Sequence, residues 1–330
     1  MVLLLTHDDV HAAVTMADAV DAMETAFREQ GEGQVTQPQR LNVKAGKGWL
    51  RVGPAVLEGS GWMGFKAMNL CPGQGVRYMI SLYSVADGAL HAIMDAQHLT
   101  TLRTGGTSAV ATRLLARPEP TTVAVLGSGV EARAQLEAMH AIGLATAARV
   151  WSPTPANRER FAAEMGARLG IPVQAVPDGR AAVRGGNGGD EVAGLVVAAV
   201  RSPQTVLAAE WLAPGTHVNS VGTARPDQRE IDPATFQRAA VVAVDTREGV
   251  FGEAGDAVAA REVFSPEDAH ELADLVVGRG PRRTDDAQIT LFKSVGTAVQ
   301  DVALAAMVFE RARDRGLGQP LAGDFPFAKV

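Results

Sequence analysis

The sequence predicts an α/β protein whose centre is a Rossmann-type, doubly wound parallel sheet, joined to a mainly antiparallel α+β region. Three observations carry this. Thr122–Leu126 is a short β-branched apolar run, followed at once by Gly127-Ser128-Gly129-Val130-Glu131-Ala132 and then by a helical pattern with Leu136, Met139 and Ile142 spaced three apart. From there to the last third of the chain, short apolar runs alternate with helical patterns, the rhythm of βα units. Ahead of it, residues 35–95 read as extended segments separated by turn residues.

Composition narrows the class. The chain has 330 residues, more than one core usually serves, so two domains are expected. A net charge of −6 with no basic block argues against nucleic acid as a partner. The apolar stretch Met1–Leu5 is too short for a signal peptide or a membrane span. The single cysteine, Cys71, excludes an internal disulfide and a thiolate metal cluster. A cytoplasmic enzyme without membrane attachment is the expectation.

In chain order, Thr6 caps a first helix with acids in its first turn, and a second covers roughly Met16–Gln30. His7 and His11 lie four apart, but no carboxylate motif supports a metal, so both are read as solvent-facing and no metal is expected. Val35–Val52, Trp62–Asn69 and Tyr78–Ser84 read as strands; Ala86-Asp87-Gly88-Ala89 is a hairpin turn into Leu90–Met94. Gln97–Leu115 reads as a helix that contains Gly105 and Gly106. Each glycine weakens a helix by about 1 kcal/mol relative to Ala, so the pair suggests close backbone approach. Strands follow at Ala148–Trp151, Val173–Val176, Gly194–Val200, His217–Val221 and Ala240–Val244, with helices at Pro155–Gly170 and Pro233–Ala239. Gly185–Gly189 reads as a surface loop, Glu267–Val277 as a helix, and Asp286–Arg313 as one long helix.

The glycine turn has the context of a dinucleotide fingerprint. Gly127 allows the sharp turn, Gly129 lets a pyrophosphate approach the backbone, and Ala132 takes the third small position. The phosphates would sit at the helix N-terminus beside Val130, on N–H groups and the positive dipole end. At the end of the next strand an NAD enzyme usually places Asp or Glu for the ribose hydroxyls. Here Trp151-Ser152-Pro153-Thr154 stands there with Arg158 soon after, which suits a 2′-phosphate; NADP(H) is expected over NAD(H).

Several segments taken together resemble the ornithine cyclodeaminase/mu-crystallin family: Gln37-Pro38-Gln39-Arg40, Gly64-Phe65-Lys66, Met94-Asp95, Leu99–Ala109, the LGSGVEA turn, Val218–Ile231, Glu253-Ala254-Gly255-Asp256 and Phe292-Lys293-Ser294-Val295-Gly296. The resemblance implies a split substrate and dimerisation domain, 1–118 plus 297–330, around a Rossmann domain, 119–296. It also implies a homodimer and NAD(P) chemistry on amino, imino or 2-oxo acids.

By the same resemblance, Arg40, Lys66 and Arg103 hold a substrate carboxylate, although Arg51 lies close to Arg40 in the same extended region. Cations suit that task, a bidentate guanidinium above all. Lys66 and Arg103 are the catalytic candidates, with Lys66 or water as the proton source. Val200, Val221, Gly222 and Val295 are expected at the cofactor, and Met79, Ala224 and Ser294 at the substrate, with Lys293 a weaker candidate. Two departures matter. Cyclodeaminases carry an aspartate where this chain has Ala224, and Asp227 lies three residues on; the Ala-Arg-Pro-Asp pattern is similar to the ketimine-reductase branch. Where the family usually has Thr, this chain has Tyr78-Met79, and Met79 would shape an apolar pocket. The expected reaction is NAD(P)H-dependent reduction of a cyclic 2-imino acid to an L-amino acid. An amino acid or opine-type dehydrogenase, a cyclodeaminase, and a non-catalytic NADPH or small-molecule binder are the alternatives.

Overall fold

Thr6 and Asp9 form a capping box: the Thr6 hydroxyl accepts from the Asp9 amide and the Asp9 carboxylate accepts from the Thr6 amide. This starts α1 (His7–Ala13), after the short strand β1 (Leu3–Leu5). Thr15 and Asp18 repeat the device at α2 (Met16–Gly31), which buries Ala19, Val20, Met23, Ala26 and Phe27. In this computed structural model, which describes residues 2–186 and 192–321, the chain then runs through β2 (Val35–Thr36), β3 (Leu41–Ala45), β4 (Gly48–Leu57), β5 (Trp62–Cys71), β6 (Gly75–Ser84) and β7 (Leu90–Asp95). The strands from β2 to β7 pair antiparallel. β7 alternates strictly, with Leu90, Ala92 and Met94 inward, as a half-buried strand requires. α3 (Gln97–Leu115) follows.

From β8 (Thr121–Leu126) the βα rhythm appears: α4 (Val130–Ala141), β9 (Ala145–Trp151), α5 (Pro155–Leu169), β10 (Val173–Ala175), α6 (Gly179–Arg184), β11 (Leu195–Ala198), β12 (His217–Ser220), α7 (Ala234–Arg238), β13 (Ala239–Val244), α8 (Arg247–Glu253), α9 (Gly255–Ala260), β14 (His270–Glu271), α10 (Leu272–Val276) and β15 (Ile289–Lys293). The strands form one parallel sheet in the order β10-β9-β8-β11-β12-β15-β13-β14. The chain winds outward from β8 through β9 and β10, then returns to the other side of β8 as β11. That reversal is the topological switch point at which doubly wound sheets bind ligands. Leu126, Val196, Ala198, Val218, Val244, Phe236 and Phe251 belong to the core packed on this sheet.

Two expectations are corrected. Asp286–Arg313 is not one helix: β15 is followed by Gly296, at φ 79°, and by α11 (Ala298–Arg315), after which β16 (Gln319–Pro320) closes the described chain. Ile289, Thr290, Leu291 and Phe292 are buried together between β12 and β13, and a helix would have buried only one stripe of that run. Glu267–Val277 is likewise not one helix but a 3₁₀ turn at Pro266–Asp268, then β14 and α10. The Gly185–Gly189 loop falls largely outside the described residues.

The chain forms two compact units, Met1–Arg103 with Thr297–Val330, and Thr104–Gly296. The first boundary lies within α3, ahead of the Arg117–Pro120 segment where the sequence placed it. The reason is local: in the second unit the Thr112 hydroxyl accepts from Asn219, and the Leu115 carbonyl accepts from Thr290 and Arg283. In the first unit β16 and β1 extend the sheet in the order β16-β1-β7-β6-β5-β4-β2, with β3 on β4, and α11 packs across β4 and β5 beside α2. No helix among the described residues is long and apolar enough to cross a membrane.

Candidate active site

In the first unit the β4–β5 ladder sets Gly53 opposite Lys66. A Cβ added at Gly53 would stand 3.7 Å from the Arg40 Cβ and 3.5 Å from the Ala298 Cβ, so both residues lie over that glycine. Arg40 thereby sits beside Lys66, and its charge acts on it. Arg51 is turned elsewhere: its Nε donates to Asn42 at 2.5 Å and its guanidinium lies over Trp49.

Lys66 Nζ is 2.7 Å from the Asp301 carboxylate and 3.4 Å from the Thr100 hydroxyl. Arg103 Nε donates to the same carboxylate at 3.0 Å, and its Nη1 donates to Gln300 Oε1 at 2.8 Å. Lys66, Arg103, Gln300 and Asp301 are all buried. Thus the first turns of α11 carry a Gln-Asp pair that fixes both cations, and the Gln37 side chain accepts from the Val299 amide of the same turn. Burial lowers the Lys66 pKa from 10.5 to about 8; Asp301 opposes the shift, while Arg103 and Arg40 add to it. Lys66 and Arg103 share one carboxylate here, with the charge of Arg40 acting on Lys66 beside them, an arrangement that favours a second, external carboxylate. Gln300 and Asp301 were not foreseen. Their only sequence signal is a polar pair inside the apolar helical run AVQDVALAAMVF. Met79 is exposed, on β6 opposite Ala67 and Asp95.

In the second unit the glycine turn lies at the C-terminal end of β8. Gly127 has φ 120°, and an added Cβ would stand 2.6 Å from the Ala199 carbonyl oxygen, so glycine is required by the protein itself. Gly129 is different: its φ is −81° and an added Cβ would meet nothing within 4 Å. No protein packing demands a glycine there, which fits the space a pyrophosphate needs at the start of α4. Val130 is exposed and Ala132 buried. The Ser128 hydroxyl donates to Ser152 at 2.9 Å, and Arg158 Nη1 donates to the Ser152 carbonyl at 3.0 Å. Ser152 is buried, Thr154 is the exposed N-cap of α5, and no carboxylate stands at 151–154. Arg133, also unforeseen, packs over Phe161, reaches the Ser128 carbonyl and pairs with Glu164.

The loops after β11, β12 and β15 are tied from behind by buried carboxylates. Glu230 accepts from the amides of Val200 (2.9 Å) and Gly222 (2.8 Å) and from the Ser220 hydroxyl (2.6 Å). Lys293 Nζ lies 3.3 Å from Glu230 and 3.1 Å from Asp256, all three fully buried. Burial pushes the Glu230 carboxyl up; at Lys293 burial is outweighed by the two carboxylates, which hold its ammonium above the ordinary value. Lys293 is therefore occupied within the interior. Asp245 accepts from the Ser294 hydroxyl (2.7 Å) and from the amides of Val295 (3.0 Å) and Gly296 (2.6 Å). The Ser294 side chain faces this aspartate. The Val221 amide donates to the Ala198 carbonyl at 2.9 Å. Ala224 brings no carboxylate to its loop, and Asp227 is exposed and doubly bonded to Arg225 at 2.9 and 2.7 Å. His11 stacks on His98 at 4.5 Å, and no metal-holding group of three or more His, Cys, Asp or Glu residues occurs among the described residues.

The family model for the ornithine cyclodeaminase/mu-crystallin family matches residues 2–316. The ketimine reductase mu-crystallin of Mus musculus is 30% identical over 312 residues, 92% of this chain and 94% of its own. A Δ1-pyrroline-2-carboxylate reductase of Thermococcus litoralis, solved with NADH and L-proline, superposes with a TM-score of 0.90 at 32% identity, covering 97% of this chain and 100% of that one. An archaeal alanine dehydrogenase dimer with bound NAD superposes with a TM-score of 0.88 at 30% identity, over 96% and 98% of the two chains. The protein belongs to the ornithine cyclodeaminase/mu-crystallin family.

Proposed function

We propose that the protein is an NAD(P)-dependent oxidoreductase acting on C–N bonds, and that it reduces a cyclic 2-imino acid, such as Δ1-pyrroline-2-carboxylate or its six-membered homologue, to an L-amino acid. The observation that carries this is the buried pair Lys66 and Arg103 held by Asp301, with Arg40 beside Lys66, in a chain whose loop at Ala224 has no acid. Arg103 and Lys66 bind the carboxylate, which fixes the adjacent imine carbon. NAD(P)H, when bound, supplies the hydride. Lys66, with a pKa of about 8, holds a transferable proton at Nζ near neutral pH, and water is the other source for the imine nitrogen. A cyclodeaminase needs a further acid to handle the amine; Ala224 gives none and Asp227 is tied to Arg225. The similarity to an alanine dehydrogenase favours a second reading, reductive amination of an open-chain 2-oxo acid with the same clamp.

Oxidation of NADPH and NADH is to be assayed over cyclic imines and over 2-oxo acids with and without amines. Turnover of a cyclic imine is expected; no oxidation with any of them sinks the reading. NADPH is proposed as the preferred cofactor, because Ser152, Thr154 and Arg158 stand where an NAD enzyme has an acid. Arg158→Gln is expected to lower the NADPH preference about tenfold, the loss of one charged hydrogen bond. A cytoplasmic homodimer completes the proposal. Leu41, Val43 and Leu50, exposed by 62%, 46% and 42% on β3 and β4, support an interface there.

A further inference from the structure

We infer that Glu230 is a positioning residue for dinucleotide binding: one buried carboxylate locks the loops after β11 and β12 into the shape that receives the cofactor. The inference rests on the dinucleotide reading of the second unit and not on the identity of the imine. Glu230 ends the loop that begins at Gly222 and closes it on itself, with Oε1 accepting from the Gly222 amide, the Ser220 hydroxyl and Lys293. Its other oxygen, Oε2, accepts from the Val200 amide, in the loop that follows β11, the strand next to β12. A single side chain therefore sets the separation of the two loop starts. They are packed tightly: a Cβ at Gly222 would stand 2.2 Å from the Val200 amide nitrogen and 2.4 Å from Glu230 Oε2. With both amides turned onto Glu230 and the Val200 side chain packed against the core, Val200 and Gly222 have their carbonyl oxygens left to offer a ligand. They can accept from ribose hydroxyls or an amide but cannot donate to a phosphate. Lys293, anchored on its other side by Asp256, holds Glu230 in place.

Glu230→Gln tests this sharply. The amide oxygen goes to the side with three donors, which leaves the new NH₂ facing the Val200 N–H, donor against donor. NADPH titration by fluorescence is expected to show a dissociation constant about tenfold higher in Glu230→Gln. Hydrogen–deuterium exchange should be faster over 199–202 and little changed over 221–223. Asp274→Asn, which removes an exposed carboxylate paired with Arg279 at the surface, is the control and should leave NADPH affinity within about twofold. Wild-type affinity in Glu230→Gln, or equal weakening by Asp274→Asn, overturns the inference. If Glu230→Gln does not fold, exchange in the wild type decides. Slow exchange at 199–202 and 221–223 before NADPH is added supports preorganisation. Fast exchange that becomes slow only with NADPH overturns it, because the cofactor would then order the loops. A wild-type protein that binds neither NADPH nor NADH removes the dinucleotide reading, and this inference with it.

Discussion

Lys66 carries the sharpest consequence at the scale of single residues. It is an ammonium whose pKa is lowered to about 8 by burial, against the opposing pull of Asp301. Below that value it is charged, as the proposed carboxylate binding requires; as pH rises through it the charge is lost. For a carboxylate substrate kcat/KM is therefore expected to fall above about pH 8. Asp301→Asn removes the anion that keeps Lys66 charged, so the fall should begin about one pH unit lower. A limb that stays put or moves upward would show that Lys66 is not the titrating group. Lys66→Ala should abolish turnover while NADPH titration stays near wild type; persisting turnover would remove Lys66 from the site. The sequence named Arg40, Lys66 and Arg103 through motif resemblance, and they do gather in one unit. It did not reveal Asp301, because the partner that decides the charge of Lys66 lies 235 residues away.

At the scale of elements, the strand-turn-helix of β8 and α4 separates two uses of glycine. Gly127→Ala forces a side chain onto φ 120° and against the Ala199 carbonyl, and should cost about 1–3 kcal/mol in chemical denaturation. Gly129→Ala adds a methyl to open space at an ordinary φ, so stability should change by less than about 0.5 kcal/mol. The same substitution should weaken the dinucleotide about tenfold, ~1.4 kcal/mol. Equal affinity in Gly129→Ala would mean that no phosphate passes there. This turn was legible because its signal is local, a β-branched run, two glycines and a 3.6-residue period. The strand β15 was not. Ile289–Phe292 sits between a polar turn and a helix, and an apolar run of that length buries equally well in a helix or a strand until its neighbours are known.

At the scale of the whole molecule, His217 ties stability to pH. It is fully buried on β12, with Nδ1 2.8 Å from the Thr290 hydroxyl, and burial lowers its pKa from 6.5 to about 3, with Arg283 adding to the shift. As pH falls below 6.5 the unfolded chain takes up this proton and the folded chain does not, so stability drops by about 1.4 kcal/mol per pH unit until about pH 3. Denaturation curves across that window should show a shallower decline in His217→Gln; equal slopes would mean that His217 is hydrated. The proposed homodimer is tested by light scattering: Leu41→Lys with Val43→Lys should yield monomer, and an unchanged mass would overturn an interface at β3 and β4. The sequence by itself determined the class of the molecule, a dinucleotide turn opening a run of βα units, with three cations in segments like those of one family. Those features are written in neighbouring residues, where period and turn chemistry act. Only the tertiary structure decided which charges meet. Asp301 joins Lys66 to Arg103, Glu230 joins Val200 to Gly222, and Lys293 joins Glu230 to Asp256. A buried charge must find its partner in space, and the strand order and helix packing that supply it leave no periodic mark on the chain.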